Sequence, residues 1–121
     1  MTKRILVVED QEDNRQILRD LLGSIDIEMI EAHDGEAAVT QAEKHRPDLI
    51  LMDIQLPVMD GYEATRRIKA NAELKAIPII VVTSYALSGD EAKARAAGCD
   101  AYVTKPYSPR QLLAKINEYL K

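Results

Sequence analysis

Leu49-Ile50-Leu51-Met52-Asp53-Ile54-Gln55-Leu56-Pro57-Val58-Met59-Asp60-Gly61 is the stretch on which the fold turns. Its first four residues are all apolar, with no polar alternation, the pattern of a strand covered on both faces. The run ends on an acid, Asp53. From Gly61 to Ala70 the period changes, and Ala64, Thr65 and Ile68 fall on one side of a helix. A buried strand followed by an amphipathic helix is the repeating unit of an α/β sheet.

The same alternation extends in both directions. Ile5-Leu6-Val7-Val8, Ile79-Ile80-Val81-Val82 and Ala101-Tyr102-Val103 read as further strands. Met29-Ile30, flanked by Glu28 and Glu31, is a weak run suited to a sheet edge. Asp13 is placed to cap a helix whose apolar stripe is Ile17, Leu18, Leu21, Leu22 and Ile25. Gly35 to His45 carries Ala38, Val39 and Ala42, and Pro47 stops it. Ser88 or Gly89 opens an alanine-rich helix that Gly98 ends, and Ser108 with Pro109 opens a last one burying Leu112, Leu113, Ile116 and Leu120. Five alternations predict a mostly parallel sheet with helices on both faces. Ligands of such sheets bind beyond the carboxyl ends of the strands.

The chain has 121 residues, enough for one core, and 46% hydrophobic against 30% charged residues is a globular balance. With 16 basic and 20 acidic residues the net charge is -4, which disfavours direct binding of nucleic acid. The single cysteine, Cys99, permits no internal disulfide and no cysteine-based zinc site, which points to a reducing compartment. Only four apolar residues separate Arg4 from Glu9, too few for a signal peptide, and no run approaches the ~18 residues of a membrane helix. The expectation is a soluble, cytoplasmic protein, away from membranes, folded as one domain over residues 1–121.

At the predicted carboxyl edge stand Glu9-Asp10, Asp53, Thr83-Ser84 and Lys105-Pro106. Each alone has a bland reading: Asp10 as a turn residue, Thr83 as a strand-end hydroxyl, Lys105 as a solvated lysine. Their joint placement is the informative part. If the first and third strands are neighbours, three carboxylates crowd together, and two like charges ~4 Å apart repel by about 4 kcal/mol at an effective dielectric of about 20. Either a pKa rises or a cation enters. Magnesium, which takes one or two carboxylates plus a phosphate, suits the set. Lys105 and Thr83 can serve phosphoryl oxygens, and Asp53, at the centre, can act as a nucleophile.

These residues, with Leu56-Pro57-Val58-Met59-Asp60-Gly61 after Asp53, resemble the motif set of bacterial response-regulator receiver domains, from Lys3 to Lys121. The resemblance implies a flavodoxin-like, doubly wound (βα)5 fold with a five-stranded parallel sheet in order 2-1-3-4-5. It implies Mg2+ as cofactor and phosphorylation of Asp53 by a histidine kinase or histidine phosphotransfer protein. By the same resemblance Asp10 is a direct metal ligand, Glu9 a water-mediated one, and the Gln55 backbone carbonyl a further ligand. Lys105 serves the phosphoryl group, and its bond to Pro106 is expected to be cis. Thr83 is the switch hydroxyl and Tyr102 the aromatic that rotates with it, although simple core packing also accounts for Tyr102. Gln55 and Tyr85 are the positions that modulate phosphoryl lifetime.

The implied output is a changed surface of helix 4, strand 5 and helix 5 that alters binding to a downstream protein target, by a monomer or weak homodimer. No output domain is expected in the chain, and no enzyme activity beyond its own phosphorylation and dephosphorylation. Ile17 or Leu21 is available to dock a kinase's helical bundle. A phosphate-independent docking module is the alternative, against which the intact motif set speaks. A magnesium-dependent phosphohydrolase fits poorly, because Gln55 stands where such an enzyme needs a general acid. His33 and His45 have no metal-like spacing, and Tyr107 reads as a surface aromatic.

Overall fold

A computed structural model describes residues 2–83 and 90–120. Their strands are β1 (Lys3–Val8), β2 (Ile27–Ala32), β3 (Leu49–Met52), β4 (Ile79–Thr83) and β5 (Ala101–Thr104). The helices are α1 (Glu12–Gly23), α2 (Gly35–His45), α3 (Gly61–Ala70), α4 (Asp90–Ala97) and α5 (Pro109–Leu120). All strand pairs are parallel, in the order β2-β1-β3-β4-β5. The doubly wound α/β fold expected from the sequence is present.

Alternate side chains of each strand feed two cores. Leu6, Val8, Ile50, Met52, Ile79 and Val81 meet Ala38 and Ala42 of α2, Ala64 and Ile68 of α3 and Ala94 of α4. Ile5, Val7, Leu49, Leu51, Ile80 and Val82 meet Leu18 and Leu22 of α1 and Leu112 and Ile116 of α5. Both faces are therefore dry, which is why β1, β3 and β4 show unbroken apolar runs.

Local details depart from expectation in two places, the start of α1 and the length of β2. Gln11, not Asp13, is the N-cap of α1, with extended backbone and no side-chain cap bond. Asp13 lies in the first helical turn, where an acid still complements the helix dipole. β2 spans six residues as an edge strand whose two faces each mix acid and apolar positions, Glu28 with Ile30 and Ala32 on one and Glu31 with Ile27 and Met29 on the other. In the stripe of α1, Leu18 and Leu22 are buried, whereas Ile17 is 54% exposed. The expected start of the fourth helix, at Ser88 or Gly89, lies outside the described residues. Its end follows the expectation, with Gly98 at φ 111, where a side chain would be strained.

Candidate functional site

Strand register brings the site together. Val8 pairs with Met52 across β1 and β3, so Glu9 and Asp53 leave the sheet side by side. The ladder continues one step further through Asp53 N–H to Val8 O at 3.1 Å. On the other side Glu9 N–H donates to Ala32 O of β2 at 3.1 Å. Thr83 pairs with Thr104, and Lys105 N–H donates to Thr83 O at 2.7 Å, which delivers Lys105 to the same edge. The Lys105–Pro106 peptide is cis.

One carboxylate oxygen from each of Glu9, Asp10 and Asp53 lies within 4.8 Å of the others. Lys105 Nζ donates to Glu9 Oε1 at 2.8 Å and stands 3.7 Å from Asp53 Oδ2. Asp53 Oδ1 accepts from Ile54 N–H at 2.7 Å. Glu9, Asp10, Gln11, Asn14, Asp53, Gln55 and Lys105 line an open cleft of about 340 Å³.

The charges do not balance. Burial raises the Asp53 carboxyl, Lys105 opposes that rise, and repulsion from Glu9 adds to it, leaving it pushed up to about 6. Asp10 is raised too, by burial and by Glu9. Burial also disfavours ionised Glu9, but its bond to Lys105 outweighs this and holds it below the usual carboxylate range. Lys105 is desolvated as well, yet the two acids keep its ammonium above its usual value. Three acids against one ammonium leave an excess of negative charge on hard oxygens, the donor chemistry of an alkaline-earth cation.

The loop after Asp53 is packed tightly against it. Asp60 N-caps α3 by accepting from Glu63 N–H at 2.9 Å, and Gly61 N–H donates to Ile54 O at 2.9 Å. A Cβ on Gly61 would fall 2.1 Å from Asp53 O. Glycine there lets the helix start close against the acid.

A family model described as the response regulator receiver domain matches residues 5–117. The chain belongs to the response regulator receiver domain family. The polar-differentiation response regulator DivK of Brucella ovis is 45% identical to this receiver over 120 residues, 99% of this chain and 98% of that protein. The receiver domain of a sensor histidine kinase from Pseudomonas aeruginosa PAO1, solved with a magnesium ion coordinated in its active site cleft, matches with TM-score 0.92 and 38% identity, covering 99% and 98% of the two chains. The chemotaxis response regulator CheY4 of Vibrio cholerae matches with TM-score 0.91 and 28% identity, covering 99% and 100%. This receiver is a phosphorylation-activated signalling switch, in a family that generally signals rather than turning over substrates. Receivers of this kind interact with histidine kinases or phosphotransfer proteins and with downstream targets. No helix among the described residues is long and apolar enough to cross a membrane.

The remaining expected site residues fall in different places. Gln55 is exposed and borders the acidic cleft. Thr83 is fully buried and is not one of the side chains lining that cleft. Tyr102 is half-buried on edge strand β5, packed against the core shared with α2, α3 and α4. Tyr85 lies outside the described residues, as does Ser84. Arg15 is a residue that sequence reasoning passed over. It shares the buried stripe of α1 with Leu18 and Leu22 and donates from Nη1 to Glu9 O at 2.8 Å. A charge at the i, i+3, i+7 positions of a buried stripe was the signal available.

Proposed function

We propose that Asp53 is the phosphoacceptor, and that residues 1–121 act as one cytoplasmic receiver domain. The observation that carries this reading is the convergence of Glu9, Asp10, Asp53 and Lys105 at the carboxyl edge of the sheet. One Asp53 oxygen forms a bond to phosphorus as the donor's P–N bond breaks. The electron pair stays on the donor histidine nitrogen, which takes a proton from solvent. Hydrolysis reverses the state, with water attacking phosphorus to return carboxylate and inorganic phosphate. Lys105 stabilises charge on the phosphoryl oxygens, and the Thr83 hydroxyl donates to the group once it leaves its buried position.

The donor set fits magnesium, since three carboxylate oxygens are gathered and a single lysine neutralises them incompletely. Asp10, Asp53 and the Gln55 backbone carbonyl would hold the ion directly and Glu9 through water. When bound, it supplies positive charge beside the phosphoryl oxygens. Beyond this self-directed chemistry the chain has no enzymatic role. Gln55 and Tyr85 set access of water to the phosphoryl group, and hence its lifetime.

Input comes from a histidine kinase or histidine phosphotransfer protein that docks on exposed Ile17. That residue lies beside a groove lined by Asn14, Leu18, Pro106 and Tyr107 that reaches Glu9 and Lys105. Output is a repacking of α4, β5 and α5, with Thr83 and Tyr102 moving together, that alters binding of a downstream protein by a monomer or weak homodimer. Incubation with acetyl phosphate tests the reading. A single phosphoryl adduct that needs magnesium and is lost in Asp53→Asn is expected, and no adduct in the wild type would favour the phosphate-independent docking module.

A further inference from the structure

Arg15 is only 7% exposed; its two terminal nitrogens donate hydrogen bonds, while Nε makes an ion-pair contact without a hydrogen bond. Nη1 donates to the Glu9 backbone carbonyl at 2.8 Å, Nη2 donates to Glu12 Oε2 at 2.6 Å, and Nε lies 3.2 Å from Glu31 Oε1. Glu31 is held in turn by Arg19 Nη2 at 2.8 Å. A buried guanidinium is thus fixed by α1 on one side and β2 on the other. Its charge is already matched by Glu12 and Glu31. What it delivers to the acidic site is therefore the bond to the Glu9 carbonyl.

That carbonyl sits one residue past the last pair of the β1–β3 ladder, Val8 with Met52. The Glu9 N–H is fixed by Ala32 O. Holding the Glu9 carbonyl as well fixes the peptide plane between Glu9 and Asp10, because the peptide unit is planar. Both side chains that share the cluster with Asp53 branch from the two ends of this one unit. We propose that Arg15 is the positioning residue of the acidic site: its guanidinium locks the Glu9–Asp10 peptide, and so presets the directions of the two carboxylates toward the cation they share with Asp53. The proposal rests on the reading of the cluster as a divalent-cation site. A lysine at position 15 would keep the charge but has one point donor group in place of a planar fork that donates to two acceptors at once.

The test is calorimetric titration of Mg2+ into the wild type, Arg15→Met, Arg15→Lys and Lys69→Met, with the urea midpoint of each. Lys69 bonds Lys75 O, Ile77 O and Asp100 Oδ2 at the opposite end of the sheet, so its loss destabilises without touching the site. Arg15→Met is expected to weaken magnesium binding about tenfold and Arg15→Lys about threefold, as loss of an orienting partner does. Lys69→Met is expected to bind as the wild type does. Wild-type affinity in the folded Arg15 variants overturns the proposal, and Arg15→Lys decides it alone if Arg15→Met does not fold. Equal weakening in Lys69→Met also overturns it, by assigning the effect to general destabilisation. Absence of binding by the wild type overturns the cation reading itself, and this inference with it.

Discussion

Lys105 donates a 2.8 Å hydrogen bond to Glu9 Oε1, joining the end of the last strand to the end of the first. Burial opposes charge on both groups, yet the bond keeps Glu9 ionised and Lys105 protonated. The Glu9 side chain is 4% exposed, so Lys105→Met leaves an acid buried without its counter-charge. A loss of about 1–3 kcal/mol at neutral pH in EDTA is expected from urea denaturation. Phosphorylation by acetyl phosphate should slow by about 100-fold, the scale for losing one fixed donor to developing charge.

Asp53 carries the opposite sign. Its carboxyl is pushed from 3.8 to about 6, first by burial and then by Glu9 against the pull of Lys105. Between those two values the folded chain holds a proton that the unfolded chain has released, so stability falls as pH rises through this window and stays lower above it. Asp53→Asn removes that cost. In EDTA at neutral pH the variant should be more stable by about 1–3 kcal/mol, a gain that fades as pH falls below about 4. Added magnesium should narrow the gap by stabilising the wild type. A wild type as stable as the variant across this range would contradict the crowding of charge described here.

Gly61 tests the packing beneath the acceptor. A methyl group there meets the Asp53 backbone oxygen at 2.1 Å, and backbone cannot swing aside as a side-chain tip can. Gly61→Ala should cost at least about 2 kcal/mol, read as a lowered thermal midpoint. Phosphorylation should slow as well, because relief of the clash moves Asp53.

Ile17 separates docking from chemistry. With 54% of its surface exposed, Ile17→Ser should change stability by less than about 0.5 kcal/mol. Labelling by acetyl phosphate should be unaffected, while transfer from a phosphorylated histidine phosphotransfer protein should fall about tenfold, the scale for losing one apolar contact in an interface. Equal rates from the protein donor would remove Ile17 from the docking surface.

Strands covered on both faces left an unmistakable trace in the sequence. Ile5 to Val8, Leu49 to Met52 and Ile79 to Val82 carry no polar interruption; the β1–β3 register brings Glu9, Asp10 and Asp53 together, and the β4–β5 register adds Lys105. The half-exposed β2 was harder, since Glu28 on one face and Glu31 on the other leave neither an unbroken apolar run nor a period of two. The N-cap of α1 was misplaced by two residues because capping depends on backbone angles, and Gln11 adopts the extended conformation without a capping oxygen to advertise it. Arg15 was missed for a tertiary reason. Two of its partners, the Glu9 carbonyl and Glu31, belong to the end of β1 and to β2, which no local pattern links to a helix. The burial of Thr83 was equally invisible, since a hydroxyl at the end of a strand reads the same whether it faces the cleft or the core.

The central claim is that Asp53 receives the phosphoryl group. After acetyl phosphate and magnesium, borohydride reduction converts a phosphorylated aspartate to homoserine, which peptide fragmentation can place in the sequence. The account predicts homoserine at position 53 and aspartate at position 10, with no conversion when magnesium is withheld. Conversion at Asp10 in place of Asp53 would contradict it.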